Sequence, residues 1–367
     1  DEKLLTTYNN GTISFYANVP AKGYKTFSIR KEANESSNEL IADKAHLENE
    51  FYDIRLDDKG HIISLLDKRV NRQVLKEGER GNVLQAFEDK PHNWDAWDIN
   101  IYYQEKMWEI DDVASIEVVE KTSLKATLEI KRNFLDSTIT QLMTIYHNVP
   151  RIDFDTTIDW KEKHILVKAA FPVDIHADKA TYDIQFGNVE RPTHWNTSWD
   201  TAKFEVCGHK WADLSEDNYG ISLLNDCKYG HDIKDGIIRL TLLKSATVPN
   251  EDADREVHNF KYSLYPHIGD WKDGGTVKQA YEVNVPVHTS IVGSNQGTMP
   301  KELSFVNIDS ENVIAEVVKQ GEYSDDIIIR VHECYNRRTN AKLTFFKDLK
   351  EVVECDLEER EVLNNIE

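Results

Sequence analysis

Cysteine, methionine and basic residues are scarce in this chain, and it contains no long apolar run. Its four cysteines, Cys207, Cys227, Cys334 and Cys355, in 367 residues are too few for a disulfide-stapled scaffold. A cysteine-poor acidic chain of this size reads as reduced and cytoplasmic. Lysine and arginine number 44 against 65 aspartates and glutamates, a formal charge of −21. Phosphate binding needs a basic face, so nucleic acid is excluded as a partner, and anionic membrane surfaces are disfavoured for the same reason. No stretch approaches the roughly 18 uncharged apolar residues of a membrane-spanning helix. The first residues, DEKLLTTYNN, carry neither the basic nor the apolar region of a secretory signal. A start without methionine fits a piece of a longer chain as well as a processed one. Catalytic signatures of fixed spacing are also missing: there is no HExxH, no GxSxG, no P-loop and no Gly-rich turn entering a helix.

What is present is strand pattern. Hydrophobic residues make up 40% and aromatics 10% of the chain, enough to bury real cores, and the length predicts two or three domains. In RIDFDTTIDW, Ile152, Phe154, Thr156, Ile158 and Trp160 share one face while Asp153, Asp155, Thr157 and Asp159 share the other. That is the period of a half-buried antiparallel strand. ATLEIKRNF from Ala126, TITQLMTIYH from Thr138 and IIRLTLL from Ile237 read the same way. Asp58-Lys59-Gly60, Asn148-Val149-Pro150 and Lys234-Asp235-Gly236 supply the turns. No amphipathic helix longer than three turns is expected, so the fold class is all-β: a large antiparallel supersandwich flanked by a short N-terminal β segment and a small C-terminal β-sandwich. The Ser/Asn-rich stretch KEANESSNEL (31–40) reads as a linker, and VHTSIVGSNQGTMPKEL (287–303) as a second break before the fresh strand LSFVNI. The expected units are 1–32, the end of a preceding β unit, then 41–288, the large sandwich, then 300–367, the small one. The last ends at LNNIE with no closing apolar strand in view.

Two stretches interleave tryptophan with polar donors. HNWDAWDINIYY (92–103) holds Trp94, Asp95, Trp97 and Asp98, and THWNTSWDTAKFEVCGHKWADLSE (193–216) holds Trp195, Asn196, Trp199 and Asp200. Sugars offer apolar C–H faces ringed by hydroxyls, and their sites combine aromatic platforms with carboxylates and amides. Burial of these tryptophans at a seam between domains is the competing reading. Cys207, His209, Cys227 and His231 contain two thiols and two imidazoles, the ligand types of structural zinc, but their spacing fits poorly, and buried thiols beside polar histidines are the simpler reading. A glycosidase needs two carboxylates placed across a sugar, which 65 acidic residues do not single out. NDCKYGHDI (225–233) adds a polar loop before IIRLTLL.

ERGNVLQAFEDKPHNWDAWDI, the 193–216 stretch, YGISLLNDCKYGHDI and FKYSLYPH together resemble the C-terminal β region of a glycoside hydrolase family 38 α-mannosidase, most closely its cytosolic-type branch. VPAKGYKTFSI resembles the end of the unit before the large sandwich, and SFVNIDSENVIAEVVKQGEYSDDIIIRVHECYNRR the final small sandwich. The resemblance implies a galactose mutarotase-like supersandwich and an enzyme that hydrolyses terminal α-mannosides with retention. It places the zinc, or another divalent metal, and the catalytic residues in a barrel of which this sequence carries no motif. No cofactor is therefore expected in this chain.

The expected partners are an α-mannoside oligosaccharide, the enzyme's own catalytic barrel and, in a homo-oligomer, a second copy of the chain. By matching motifs, the resemblance places His209, Trp211, Asp213, Asn225, Asp226, Tyr229 and His231 near the active-site rim, with the loop of Trp94 and Asp95 beside them. Lys244 stands where the family often has arginine, and a lysine lacks the bidentate fork. The alternatives are an autonomous sugar-binding or mutarotase-like module using His209 or His231 with a carboxylate, and a purely structural assembly unit.

Overall fold

Alternating apolar residues become three antiparallel sheets around one core. A computed structural model describes residues 3–9, 11–30, 40–294, 296–360 and 362–365. The linker read over 31–40 lies outside the described residues except Leu40, which is buried. The chain divides into two compact units. One holds the described residues of 1–16, 34–184 and 189–288, and the other those of 17–33, 185–188 and 289–367.

The largest sheet of the first unit has nine strands. In spatial order they are Asp112–Lys121, Lys125–Phe134, Ser137–Tyr146, Ile152–Asp159, Val257–Ile268, Tyr219–Asn225, Trp211–Ser215, Lys179–Ile184 and Gly187–Pro192. A six-stranded sheet runs Met107–Glu109, Val83–Glu88, Ile165–Pro172, Ile237–Lys244, Gly230–Lys234 and Val206–Cys207. Five further strands, from Ile41–Asp43 to Arg72–Gln73, form a third sheet in sequence order. Ile152, Phe154, Ile158 and Trp160 are fully buried, as their alternation requires. The ring of Phe154 stacks on Tyr262 at 5.0 Å and meets Phe171 of the six-stranded sheet at 5.9 Å, which joins the two layers. Leu47, Tyr52 and Ile54 of the third sheet enter the same cluster.

The turn at Asp58-Lys59-Gly60 closes through a left-handed Gly60, φ +72°, with Asp57 accepting from the amides of Lys59 and His61. Among the described residues the longest α-helix is Thr276–Asn284. It lies on the outer face of the nine-stranded sheet, where Thr276 meets Ser222 at 2.7 Å. No helix of the described residues is long and apolar enough to cross a membrane.

The second unit is built from short strand pairs. Gly23–Lys25 pairs with Glu302–Ser304, Val306–Ile308 with Leu343–Phe345, and Val313–Gln320 with Ile327–Glu333. Phe305 packs edge-on against Phe346 at 5.1 Å and tilted against Tyr24 at 5.9 Å. The fresh strand expected at LSFVNI is broken in two at Phe305. At the end of the described residues, where no closing apolar strand was in view, the short strand Val362–Asn365 pairs with Val353–Cys355 across an irregular register. Its alternation is too short and too polar to be recognised without a partner in view.

Phe154→Ala removes a ring that both layers share. It should destabilise the large unit by about 3–5 kcal/mol, read as a lowered urea midpoint at unchanged slope. A loss under about 1 kcal/mol would mean that the layers are not joined through this ring.

Candidate functional site

The 92–103 stretch and the 193–207 part of the second tryptophan-bearing stretch lie over the outer face of the six-stranded sheet, and one lysine holds them there. Lys168 sits within the apolar run ILVKAAFP and has Gln85 and Thr241 as its cross-strand neighbours. Its side chain is fully buried. The ammonium is bound by Asp232 at 2.6 Å and by Glu205, while the ring of Tyr103 lies 5.0 Å away. Thr241 donates to the other oxygen of Glu205 at 2.5 Å, and Arg239 donates to the other oxygen of Asp232 at 2.8 Å. Burial alone would lower the lysine pKa, but Asp232 and Glu205 outweigh it and hold the group above the ordinary lysine range. Gly230 makes room for this cluster, since a Cβ there would lie 2.7 Å from the Glu205 carboxylate.

Glu205 belongs to the 193–216 stretch, and Tyr103 to the 92–103 stretch. Tyr103 also packs edge-on against Phe87 at 5.1 Å and tilted against Phe204 at 6.3 Å. The two stretches therefore meet over a shared floor of Phe87, Leu166 and Lys168.

Beyond that floor the loop carrying Trp94 stands in solvent. Trp94 and Trp97 are 70% and 72% exposed, with rings edge-to-face at 6.4 Å. The carbonyl of Trp94 accepts from the amides of Trp97 and Asp98 at 2.8 and 2.9 Å. Trp94 itself is left-handed, φ +60°, which costs a bulky L-residue roughly 1–2 kcal/mol. Asp95 points away from solvent and accepts from the Thr247 amide at 2.6 Å and its hydroxyl at 3.2 Å. Burial opposes ionisation of this carboxyl, but the two Thr247 bonds outweigh it and hold its pKa below the usual value. Asp95 is thus the anchor of the loop and Trp94 its exposed end. Lys244 pairs with Asp89, at the base of the same loop. In the second stretch, Trp195 lies under the Lys234 ammonium at 3.4 Å. Trp199 is 79% exposed on a one-turn helix closed by a Thr197–Asp200 capping box.

The remaining rim candidates do not converge on this face. Trp211 is buried and packs against Trp271 at 5.0 Å. Asp213, two residues on, accepts from Ser222 at 2.7 Å and pairs with His267 at 2.8 Å, also buried. Both side chains lie on the outer face of the other, nine-stranded sheet, Asp213 reaching the helix through Ser222 and Thr276. Asn225 is buried and committed to backbone: its amide donates to the His209 carbonyl at 2.7 Å, and its oxygen accepts from the Lys228 amide at 2.8 Å. His231 lies between the sheets, edge-on to Tyr182 at 6.1 Å, with Nδ1 3.3 Å from the Tyr229 carbonyl. Trp211, Asp213, Asn225 and His231, expected near the rim, have side chains that are buried and reach no surface of this unit. Trp211 and Asp213 share one strand face, as alternation requires, but that face is covered by Trp271 and the helix, so proximity in sequence did not mean exposure.

Three of the set remain at the surface. Tyr229 is 48% exposed and meets His209 edge-on at 5.1 Å. Asp226 is half-buried and accepts from the Lys261 amide at 3.1 Å.

The thiol–imidazole set does not fit zinc. Among the described residues, the metal-donor atoms that cluster belong to His46, Glu48 and Asp53, not to Cys207, His209, Cys227 and His231. Partial burial and a hydrogen bond to Asp226 push the Cys227 thiol up to about 11, away from the thiolate a metal needs. All four cysteines are free.

Two outcomes follow from these positions. Lys168→Met should leave two carboxylates without their cation and cost about 3–5 kcal/mol, with proteolysis of 89–109 or 193–207 ahead of global unfolding. His231, driven down to about 4 by burial, stays neutral when folded while the unfolded chain takes up a proton below about 6.5. Its contribution is complete above about pH 6.5 and is lost as the pH falls toward about 4, by up to about 3 kcal/mol. His231→Gln should flatten urea midpoints across that window, and identical pH slopes in both proteins would refute the assignment.

Comparison with known proteins agrees with the residues. The family model "Glycosyl hydrolases family 38 C-terminal domain" matches residues 47–252, more than half of the chain. The model "Glycosyl hydrolases family 38 C-terminal beta sandwich domain" matches 312–367. Alpha-mannosidase G of Dictyostelium discoideum is 36% identical over 91% of this chain and 31% of its own length. Alpha-mannosidase 2C1 of Homo sapiens is 34% identical over 86% of the chain and 30% of its own length. The chain thus spans under a third of these relatives. A solved family 38 protein from Enterococcus faecalis superposes with a TM-score of 0.77 at 15% identity, over 100% of this chain and 49% of that one, which establishes the shared fold.

Proposed function

The chain belongs to glycosyl hydrolase family 38, and on that premise we propose that it is the C-terminal β region of a retaining, metal-dependent α-mannosidase. In this reading the chemistry is carried by residues outside these 367, and the chain supplies scaffold and sugar-facing surface. The observation that supports it is the pinning of two tryptophan-bearing stretches to one sheet face by Lys168, which leaves Trp94, Trp97 and Trp199 exposed on anchored loops. A Trp face stacks on the C–H face of a pyranose, and neighbouring carboxylates and amides take its hydroxyls.

Zinc is the metal that the family resemblance implies. The thiol–imidazole set of this chain does not fit it, and no catalytic step is assigned to the chain's own residues. The mutarotase-like alternative loses one of its two candidate histidines, because His231 is buried between the sheets and meets no surface. His209 packs edge-on against the exposed Tyr229.

Hydrolysis of an aryl α-mannoside tests the reading, measured on this chain with and without zinc or cobalt, beside a longer protein that carries the same residues. Activity should appear only in the longer protein. Within it, Trp94→Ala and Tyr229→Ala should each lower kcat/KM by about tenfold, roughly 1.4 kcal/mol, with thermal midpoints unchanged. Turnover by this chain alone would overturn the division of labour. Unchanged kinetics in both variants would remove these loops from the substrate site. Asp213→Ala is no clean probe, because it strips a buried His267–Ser222 network of its acceptor.

A further inference from the structure

In the third sheet, two carboxylates stand directly opposite each other. Glu48 of His46–Glu48 and Asp53 of Tyr52–Leu56 are register partners, while His46 faces Arg55 on the same side of the sheet. Like charges at directly opposed positions repel, so something must compensate. Part of the compensation is visible: Lys68 donates to Glu48 Oε1 at 2.8 Å, and Arg55 donates to Asp53 Oδ1 at 2.9 Å and Oδ2 at 3.3 Å.

His46 is the part left unexplained. It is only 8% exposed, and its Nε2 is buried without a hydrogen-bond partner. That nitrogen nevertheless lies 3.1 Å from Asp53 Oδ1 and 3.4 Å from Glu48 Oε2. A ring N–H shared poorly between two acceptors is an inefficient use of a buried imidazole. A different geometry accounts for the two distances from Nε2. With metal–nitrogen and metal–oxygen bonds of about 2.0–2.1 Å, the edge of a ligand tetrahedron is about 3.3–3.4 Å. The donor atoms of His46, Glu48 and Asp53 all fall within 4.8 Å of one another.

We propose that His46, Glu48 and Asp53 form a binding site for one transition-metal dication of the zinc or cobalt type, which ties the His46–Glu48 strand to Tyr52–Leu56. One imidazole with two carboxylates suits a borderline cation; magnesium and calcium favour all-oxygen sets. Three protein ligands leave the fourth position to water. The cation settles the cross-strand repulsion and gives the buried Nε2 a partner. Arg55 is its competitor, because its guanidinium shares Asp53 Oδ1 with the site.

Titration of zinc into this chain by calorimetry, and of cobalt by visible absorption, tests the proposal, with the cysteines alkylated to remove thiol binding. One equivalent should bind, with the absorption intensity of a four-coordinate site, and should raise the thermal midpoint. His46→Gln and Glu48→Gln should each abolish the one-to-one isotherm. Either variant serves if the other fails to fold, since circular dichroism reports folding separately. Arg55→Ala, at a half-exposed side chain, should tighten binding about tenfold by releasing Asp53, an effect that scattered surface binding would not produce. Absence of binding by the wild-type chain, an isotherm unchanged in the folded His46→Gln or Glu48→Gln variant, or weaker binding in Arg55→Ala would each overturn the site.

Discussion

A buried ammonium needs anions within reach, and that requirement shapes the outer face of the six-stranded sheet. Lys168 is enclosed by its own strand and by two covering segments, and the charges that satisfy it come from Asp232 of the same sheet and Glu205 of a segment laid across it. Removing three ions from water is expensive, and their mutual attraction returns little net stability. The cluster restricts geometry instead: Glu205 reaches Lys168 in one placement of the 193–207 segment, and Tyr103 covers it in one placement of the 89–106 segment. A leucine at 168 would fill the same space, but it would hold neither and would leave both carboxylates without their cation.

The nine-stranded sheet solves a similar problem under its helix with a different set of groups. Asp213, Ser222, His267 and Thr276 share hydrogen bonds in a buried layer where aliphatic side chains would have packed without direction. On both outer faces, polar contacts fix what lies over a sheet, while the interior between the sheets is mainly Phe154, Phe171, Tyr262 and their aliphatic neighbours, with a buried hydrogen-bond network of Asn82, Gln141 and Arg132 around the Tyr262 hydroxyl. His231 also lies inside, and burial keeps it neutral there.

Alternation alone was enough to read the strands and the all-β class, because period two in RIDFDTTIDW or TITQLMTIYH leaves no helical option. The same period hid the site. Trp211 and Asp213 sit on one strand with His209 just before it, and sequence placed them together, yet their faces are set by sheet layering that no single strand reveals. The two tryptophan clusters were visible as composition, but their meeting depended on Lys168, a lone charge in ILVKAAFP. That was the available signal, since a lysine in an otherwise apolar strand has to find carboxylates somewhere. Which carboxylates it finds is a long-range fact, 37 residues away for Glu205 and 64 for Asp232. The cross-strand pair of Glu48 and Asp53 was hidden for a related reason: opposition across a hairpin depends on register, and a shift of one residue would have dissolved it.

Strain and anchoring explain why the exposed aromatics have a charge cluster beneath them. A tryptophan held at positive φ and largely in water gains almost nothing for the fold from its own ring. It persists because Asp95 is locked to Thr247, the base of the loop is tied by Asp89 and Lys244, and Tyr103 is seated on Lys168. Each of these contacts lies below the exposed rings and none requires them. The loop would be more stable with a glycine at 94 and a polar residue at 97. Backbone strain and buried charge thus hold apolar rings in solvent, and in the reading proposed above a pyranose face covers them, matching their shape and the polar groups at their edge.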